Sequence, residues 1–355
     1  MGCSGDRASE RDLLPLMAKI IIIGAGLSGL TAARYLQESG HHVTVLEKSD
    51  RVGGRVTSDL VDGFILDRGF QVINPGYREI QKLGLLDGLD FYQIPRTIRV
   101  VDGSRDYLAG FNTPWRFRPE LLRHFLRGVF FTNPSTISRG VYREILLSFL
   151  KAAPGLPANG VRSFSEKLAS GISDIRLNHK VDHIEGRIVH GAFGSPSADL
   201  IIVATANAAA AELIGTPRID DLPSTTWYFS TTEEPTQMKY LALPLKSTIV
   251  NSVVISAIAP QYAPAGHHLI ATTTLDGGSD QSIADQTTKI WKINSLRLIA
   301  RYDIPQSLPL RKRGRELPLM INDHTYVIGD HRGVPSQNGA MRLGRLVAEL
   351  INKRG

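Results

Sequence analysis

Four residues set the chemical question: Gly24, Gly26 and Gly29 in "GAGLSG", and Glu47 eighteen positions after the last of them. The glycines follow the apolar run "KIIII" and open the helix-periodic stretch "LSGLTAARYLQESG". Glu47 closes the next β-branched run, "HVTVLEK". A glycine at the first position permits a tight turn, the second lets backbone approach a pyrophosphate, and the third lets the helix lie close to the strand. The helix N-terminus adds free N–H groups and partial positive charge for phosphates. A carboxylate at the end of the second strand can accept hydrogen bonds from ribose hydroxyls and would repel a 2′-phosphate. Ala25, Leu27 and Ser28 share the turn and Lys48 follows the acid, so they join the candidate cofactor-binding set. Turn, helix and acid together predict a dinucleotide site that disfavours NADP. NAD and FAD both remain open at this point.

The continuation separates them. "Glu47-Lys48-Ser49-Asp50-Arg51-Val52-Gly53-Gly54-Arg55" resembles the second motif of the flavin amine oxidase and phytoene desaturase superfamily, in which Gly-Gly-Arg follows the ribose-binding acid. There the glycines let the loop fold back on the dinucleotide and the arginine faces the diphosphate. "LDRGFQVINP" (66–75) is similar to the superfamily segment beside the flavin ring, which brings in Gly69 and Phe70. "YVIGDHRGVPSQNGAMRLGRLVAEL" is similar to its closing motif. The resemblance implies that Asp330, after Gly329, meets the ribityl chain. It also implies that the backbone of Gln337, Asn338 and Ala340 begins a helix under the flavin pyrimidine, and that the backbone of Val181 meets the adenine. The closest likeness is to poorly characterised bacterial FAD-dependent oxidoreductases with "DGFxLDRGFQV", "YAPAG" (262–266) and "YxIPxxLP" (302–309). This chain is shorter than such relatives, chiefly between about 105 and 140. The cofactor implied is FAD, expected to be non-covalent because the single cysteine, Cys3, lies in the polar tail, while counting leaves a histidyl link open.

Elements must hold these residues in place. The first strand, helix and second strand form one βαβ unit, which predicts an open α/β sheet with its ligand at the strand carboxyl ends. "DGFILDRGFQV" and "RTIRVVDG" read as short strands and turns. Two amphipathic helices follow, with stripes Leu121, Leu122, Phe125, Leu126, Val129, Phe130 and Val141, Ile145, Leu146, Phe149, Leu150. "AAPGLPANG" reads as a Pro/Gly linker, "DIRLNHKVDHIEGRIVHG" as strands turning at Glu185-Gly186, and 224–310 as mostly β. The expected fold is α/β: a Rossmann-type FAD-binding domain with an inserted, discontinuous α+β substrate domain. The division expected is a disordered tail at 1–16, the FAD-binding domain at 17–60, 165–220 and 320–355, and the substrate domain at 60–165 and 220–320. Residues 1–16 could equally precede a natural start at Met17.

Composition narrows the classes. With 42 % hydrophobic and 21 % charged residues and a net charge of +7, the chain reads as globular and only mildly basic, so no nucleic-acid partner is expected. The short basic run "RKRGR" at 311–315 reads as an exposed turn. One cysteine points to no oxidising compartment, and no apolar run reaches spanning length, so a cytoplasmic protein is expected. Arg116, Arg118, Arg123 and Arg127 beside the first stripe allow peripheral membrane contact, but a domain helix with its stripe in the core is the preferred reading. His179, His183 and Glu185 sit on a strand-like pattern rather than a helix, so no metal is expected.

A flavin carries out the redox step itself, and no acid–base pair stands out. No catalytic residue is assigned. The cavity candidates are Phe70 and Gln71 by superfamily position, and Trp227 and Tyr302 as aromatics of the β segment. The expected function is FAD-dependent oxidation of an amine or an apolar, desaturable small molecule by hydride transfer to flavin. A non-catalytic FAD-binding or redox-sensing protein with a reduced substrate domain stays open beside it.

Overall fold

A computed structural model of the chain describes residues 17–103, 105–110, 119–137, 139–310 and 317–354. The tail at 1–16 with Cys3, the arginines 116 and 118, and the run 311–315 lie outside the described residues.

Five parallel strands form the first sheet: β1 (Lys19–Ile23), β2 (His42–Leu46), β9 (Ile175–Arg176), β12 (Leu200–Val203) and β18 (Thr325–Val327), in the order β18-β12-β1-β2-β9. The four isoleucines of β1 explain its central place. Ile20 and Ile22 face one core and Ile21 and Ile23 the other, as a strand covered on both sides requires. On the first face lie α1 (Leu27–Glu38), α5 (Arg162–Ala169) and α8 (Gln337–Asn352), which contribute Leu30, Leu36, Phe164, Leu343, Val347 and Ile351. The second face is covered by the hairpin β10 (Val181–Glu185) and β11 (Ile188–Gly191) and by α6 (Asn207–Ile214), through Val181, Val189 and Ala210. The hairpin turns at Gly186, whose φ is +55°.

The second sheet has seven strands: β6 (Ile98–Asp102), β7 (Arg105–Ala109), β13 (Asp221–Thr231), β14 (Leu241–Pro244), β15 (Ile249–Val254), β16 (His268–Thr274) and β17 (Arg297–Pro309), ordered β17-β13-β16-β15-β14-β6-β7. Two helices, α3 (Pro119–Phe130) and α4 (Arg139–Lys151), pack together through Leu126, Phe130 and Ile145, with Phe125 and Phe149 meeting edge to face at 5.8 Å. Leu150, expected in the α4 stripe, is exposed. A hairpin of β3 (Ser58–Val61) and β4 (Phe64–Asp67) leads from the first sheet toward the second. The short helix α2 (Arg78–Lys82) follows, and Ile73, Ile80 and Leu85 of this stretch pack into the core under α1 and α8.

Two sequence expectations change. "AAPGLPANG" is not a linker: β8 (Gly155–Pro157) pairs antiparallel with β5 (Phe91–Gln93) and is buried. Gly155 also exchanges both backbone hydrogen bonds with Ile73 at 2.9 Å, so the glycine marks a close approach of three backbones rather than a flexible joint. The β-rich stretch 224–310 is interrupted by α7 (Asp280–Trp291). Ser279 caps it by accepting from the Ser282 amide, and Ile283, Thr287, Ile290 and Trp291 are buried at helical spacing. No helix among the described residues is long and apolar enough to cross a membrane.

Candidate functional site

The carboxyl ends of β1, β2, β12 and β18 open into a cavity of about 670 Å³, which extends across to the second sheet, α3 and α4. Local sequence explains the opening. Gly24 adopts φ +106° and donates its amide to Leu46 at 2.7 Å, and a Cβ there would sit 2.9 Å from the Ala204 carbonyl oxygen. Gly29 lies where a Cβ would overlap the Gly24 carbonyl, so α1 can touch the end of β1 only as glycine. Gly26 is different. It precedes α1 and a Cβ on it would meet no protein atom within 4 Å, so its bare face is turned to the cavity. Gly24, Gly26, Leu27 and Ser28 line the cavity. Ala25 is buried and does not: its amide donates to Glu47 Oε2 at 2.8 Å, and its carbonyl accepts from Gly53 at 2.8 Å. Gly29 serves packing rather than lining.

Glu47 therefore holds the turn as well as facing the cavity. Its Oε1 accepts from the amide and hydroxyl of Ser49 at 2.9 and 2.8 Å, and its backbone carbonyl accepts from the His179 amide at 2.8 Å. Lys48, Gly53, Gly54 and Arg55 line the same end, with Val181 across from them. Arg55 joins distant motifs. It donates to Asp330 Oδ2 at 2.6 Å and to the Ser307 carbonyl at 2.8 Å. The Asp330 charge beside it raises the guanidinium further above its ordinary value. Gly329 lets the chain turn at φ +142° and Asp330 is buried. The start of α8 faces the cavity with Gln337 and Ala340; Ser336 caps it by accepting from Gly339 at 3.0 Å. Asn338 lies off the cavity wall, and its Oδ1 accepts from the Glu79 amide of α2 at 3.3 Å.

Gly69, Phe70 and Gln71 line the middle of the cavity. Gln71 donates to the backbone carbonyls of Arg55 at 2.7 Å and Arg68 at 3.1 Å, which ties the loop to the Gly-Gly-Arg turn. Two of the aromatic candidates are elsewhere. Trp227 is fully buried behind the sheet, with its indole N–H donating to Asp280 at 2.7 Å and the Arg301 guanidinium 5.1 Å from its ring centroid. Strand alternation explains this, because on β13 it is Thr226 that lines the cavity and Trp227 points to the other face. Tyr302 does not line the cavity either. Its hydroxyl donates to Asp59 at 2.9 Å, and burial together with that carboxylate holds the phenol protonated well above its usual range. Burial opposes the charge on Asp59, but hydrogen bonds from Arg68, Arg51 and Tyr302 outweigh it and draw the carboxyl down to about 2.

Asp67 carries no local sequence signal of its role. It is fully buried in "LDRGF" and accepts from Ser58 at 2.6 Å, from the Val161 amide at 3.0 Å and from the Tyr262 hydroxyl at 3.0 Å. The Tyr228 hydroxyl donates to its carbonyl at 2.7 Å. Asp67 thus pins the loop that carries Gly69 and Phe70. Asn251, beside Ser252 in the buried "IVNSVV" of β15, also lines the cavity unannounced; a single amide in a buried strand was the signal available.

The family model for flavin containing amine oxidoreductases matches residues 27–105. Putrescine oxidase of Kocuria rosea is 39% identical over 147 residues, 41% of this chain and 26% of that protein. A 4,4'-diapophytoene desaturase of Staphylococcus aureus (strain Newman) is 46% identical over 55 residues, 16% of this chain and 11% of that one. Over these stretches the chain is similar to the flavin amine oxidase and phytoene desaturase superfamily. The solved structure of cyclohexylamine oxidase from Brevibacterium oxydans superposes with a TM-score of 0.74 at 15% identity, covering 95% of this chain and 99% of that one. At that identity it attests the fold, a Rossmann-compatible α/β architecture. The matched stretches span about a quarter or less of the two curated relatives' own length.

FAD is the cofactor of this superfamily, and the residues present fit it. The open face at Gly26 admits a diphosphate where any side chain would stand. Gln337 Oε1, at the start of α8, is buried without a hydrogen-bond partner beside the cavity, so the helix end offers an acceptor that a ring N–H would satisfy. Among the described residues no cluster of His, Cys, Asp and Glu could hold a metal ion.

Proposed function

We propose that the chain is an FAD-dependent oxidoreductase that oxidises an amine or an apolar, desaturable small molecule. Bound FAD would supply a two-electron acceptor for hydride. The chain's own residues bind, orient and dry the site. Glu47 faces the adenosine ribose, the Val181 backbone the adenine, and Gly26, Gly53 and Gly54 leave room for the diphosphate. Asp330, held by Arg55, meets the ribityl chain. The N-terminus of α8 at Gln337 and Ala340 faces the cavity, and it would stabilise negative charge on a reduced flavin held there without reorganisation. Phe70 and Gln71 lie between this cradle and the second sheet.

The observation that carries the reading is the continuity of the cavity. One space joins the glycine cradle to a wall of Phe125, Phe130, Phe131, Phe149, Leu243 and Val250. Such a wall excludes water from a substrate; a protein that only stored FAD would have no use for it. We further propose that the parallel-sheet strands mark the FAD-binding part (17–60, 165–220 and 320–355) and the seven-stranded sheet the substrate part, in a cytoplasmic protein. The test is anaerobic mixing of the purified yellow protein with a panel of amines and apolar alkenes. Bleaching of the flavin by one of them is the expected result. A colourless protein that takes up no FAD overturns the reading, and bound flavin that no compound bleaches favours the non-catalytic alternative.

A further inference from the structure

Among the described residues, the four carboxylates that line the cavity are Glu47, Asp182, Glu212 and Asp330, and all belong to the parallel sheet, its hairpin or its helices. Among the described residues, the wall built by α3, α4 and the second sheet contributes none. A diamine placed there would bury a second ammonium with no counter-charge from the described residues, which is strongly unfavourable. The wall does hold one polar side chain whose needs the protein leaves unmet. Asn251 is 8% exposed, and its Oδ1 is buried with no hydrogen-bond partner. Its polar neighbours are satisfied: Thr226 and Thr273 pair at 3.1 Å, and Ser252 accepts from Trp291 at 2.8 Å. A buried amide left in this state costs stability that a ligand contact would recover.

The helix facing Asn251 leaves it uncovered. Gly128 lies inside α3, where glycine is a poor helix former. A Cβ at Gly128 would stand 3.6 Å from Asn251 Nδ2 and 3.7 Å from the Val250 carbonyl, which is ordinary contact. No protein atom requires glycine there. Gly128 and Asn251 both line the cavity, and the missing methyl leaves the Nδ2 side of the amide bare.

We propose that Asn251, uncovered by Gly128, is the specificity-determining residue of the wall. The wall takes a neutral, largely apolar molecule with one hydrogen-bonding group and rejects dicationic amines. This rests on the reading above that the cavity binds a substrate.

The experiment is calorimetric titration of the full chain with toluene, benzyl alcohol and putrescine, which needs no flavin signal. Benzyl alcohol and toluene should both bind the wild type, and putrescine should give no binding heat. In Asn251→Leu, the affinity ratio of benzyl alcohol to toluene should fall by roughly 2- to 12-fold, the weight of one net hydrogen bond. Gly128→Ala should lower the same ratio while the melting temperature holds or rises. An unchanged ratio in both variants, putrescine binding tighter than benzyl alcohol, or no binding of either aromatic probe overturns the proposal. Flavin content is read on the same samples. Absence of FAD would sink the redox reading alone, because the probe ratios report on the wall either way.

Discussion

Replacing Asp67 by asparagine tests how the loop beside Phe70 is held. Burial lifts the Asp67 carboxyl from the ordinary 3.8 to about 6, against the opposing hydrogen bonds from Ser58, the Val161 amide and Tyr262. At neutral pH the folded protein therefore carries a buried carboxylate that it would rather hold protonated. A shift of about two pKa units corresponds to roughly 3 kcal/mol at ~1.4 kcal/mol per unit. Since the folded value lies above the unfolded one, the contribution is fully present below pH 3.8 and is lost as pH rises through about 6. Between about pH 5 and about pH 7.5 the wild type should lose ~1.4 kcal/mol of stability from this group. Asparagine keeps the network, since its oxygen can accept from Ser58 and Val161 and its amide can donate to the Tyr262 oxygen. It has no proton to lose. The assay is urea unfolding of both proteins at the two pH values with the same FAD concentration. The variant should gain about 1.4 kcal/mol on the wild type as pH rises over that range. Parallel pH dependence of the two proteins, or a gain by the wild type, would refute the argument that burial governs this carboxyl.

The two ends of the cofactor should respond differently. Glu47→Ala should weaken FAD binding by roughly 1.5–3 kcal/mol without moving the flavin midpoint potential, whereas Asp330→Ala should weaken binding and shift the potential; equal shifts in a paired redox titration would contradict the placement. Two glycines three residues apart in the same turn should also part company: Gly26→Ala should keep the melting temperature of the FAD-free protein but lose FAD, while Gly29→Ala, whose methyl overlaps the Gly24 carbonyl, should lower that melting temperature outright. Acid precipitation should release the yellow colour into the supernatant, and colour retained in the pellet would refute non-covalent attachment.

Short-range patterns made much of this protein legible. Strand, glycine turn, helix and acid between Lys19 and Glu47 are set by neighbouring residues: β-branched side chains favour the strands, and glycine alone tolerates the positive φ and the close approaches at the turn. The helices α3 and α4 were likewise visible as apolar stripes. α7 was not, although Ser279 and the spacing of Ile283, Ile290 and Trp291 carried the signal; the Thr- and Ser-rich surroundings suggested strand. Tertiary structure decided the rest, because it depends on which chain segments meet. Only packing turned "AAPGLPANG" into a strand between two other backbones, and only the register of β13 sent Trp227 behind the sheet while Thr226 faced the cavity. Arg55 and Asp330 are 275 residues apart, and no local pattern announces that they share an ion pair. The same holds for Asn251. Its type could be read from the sequence, but whether its amide was satisfied depended on what every neighbouring element placed around it, and that is a property of the folded chain alone.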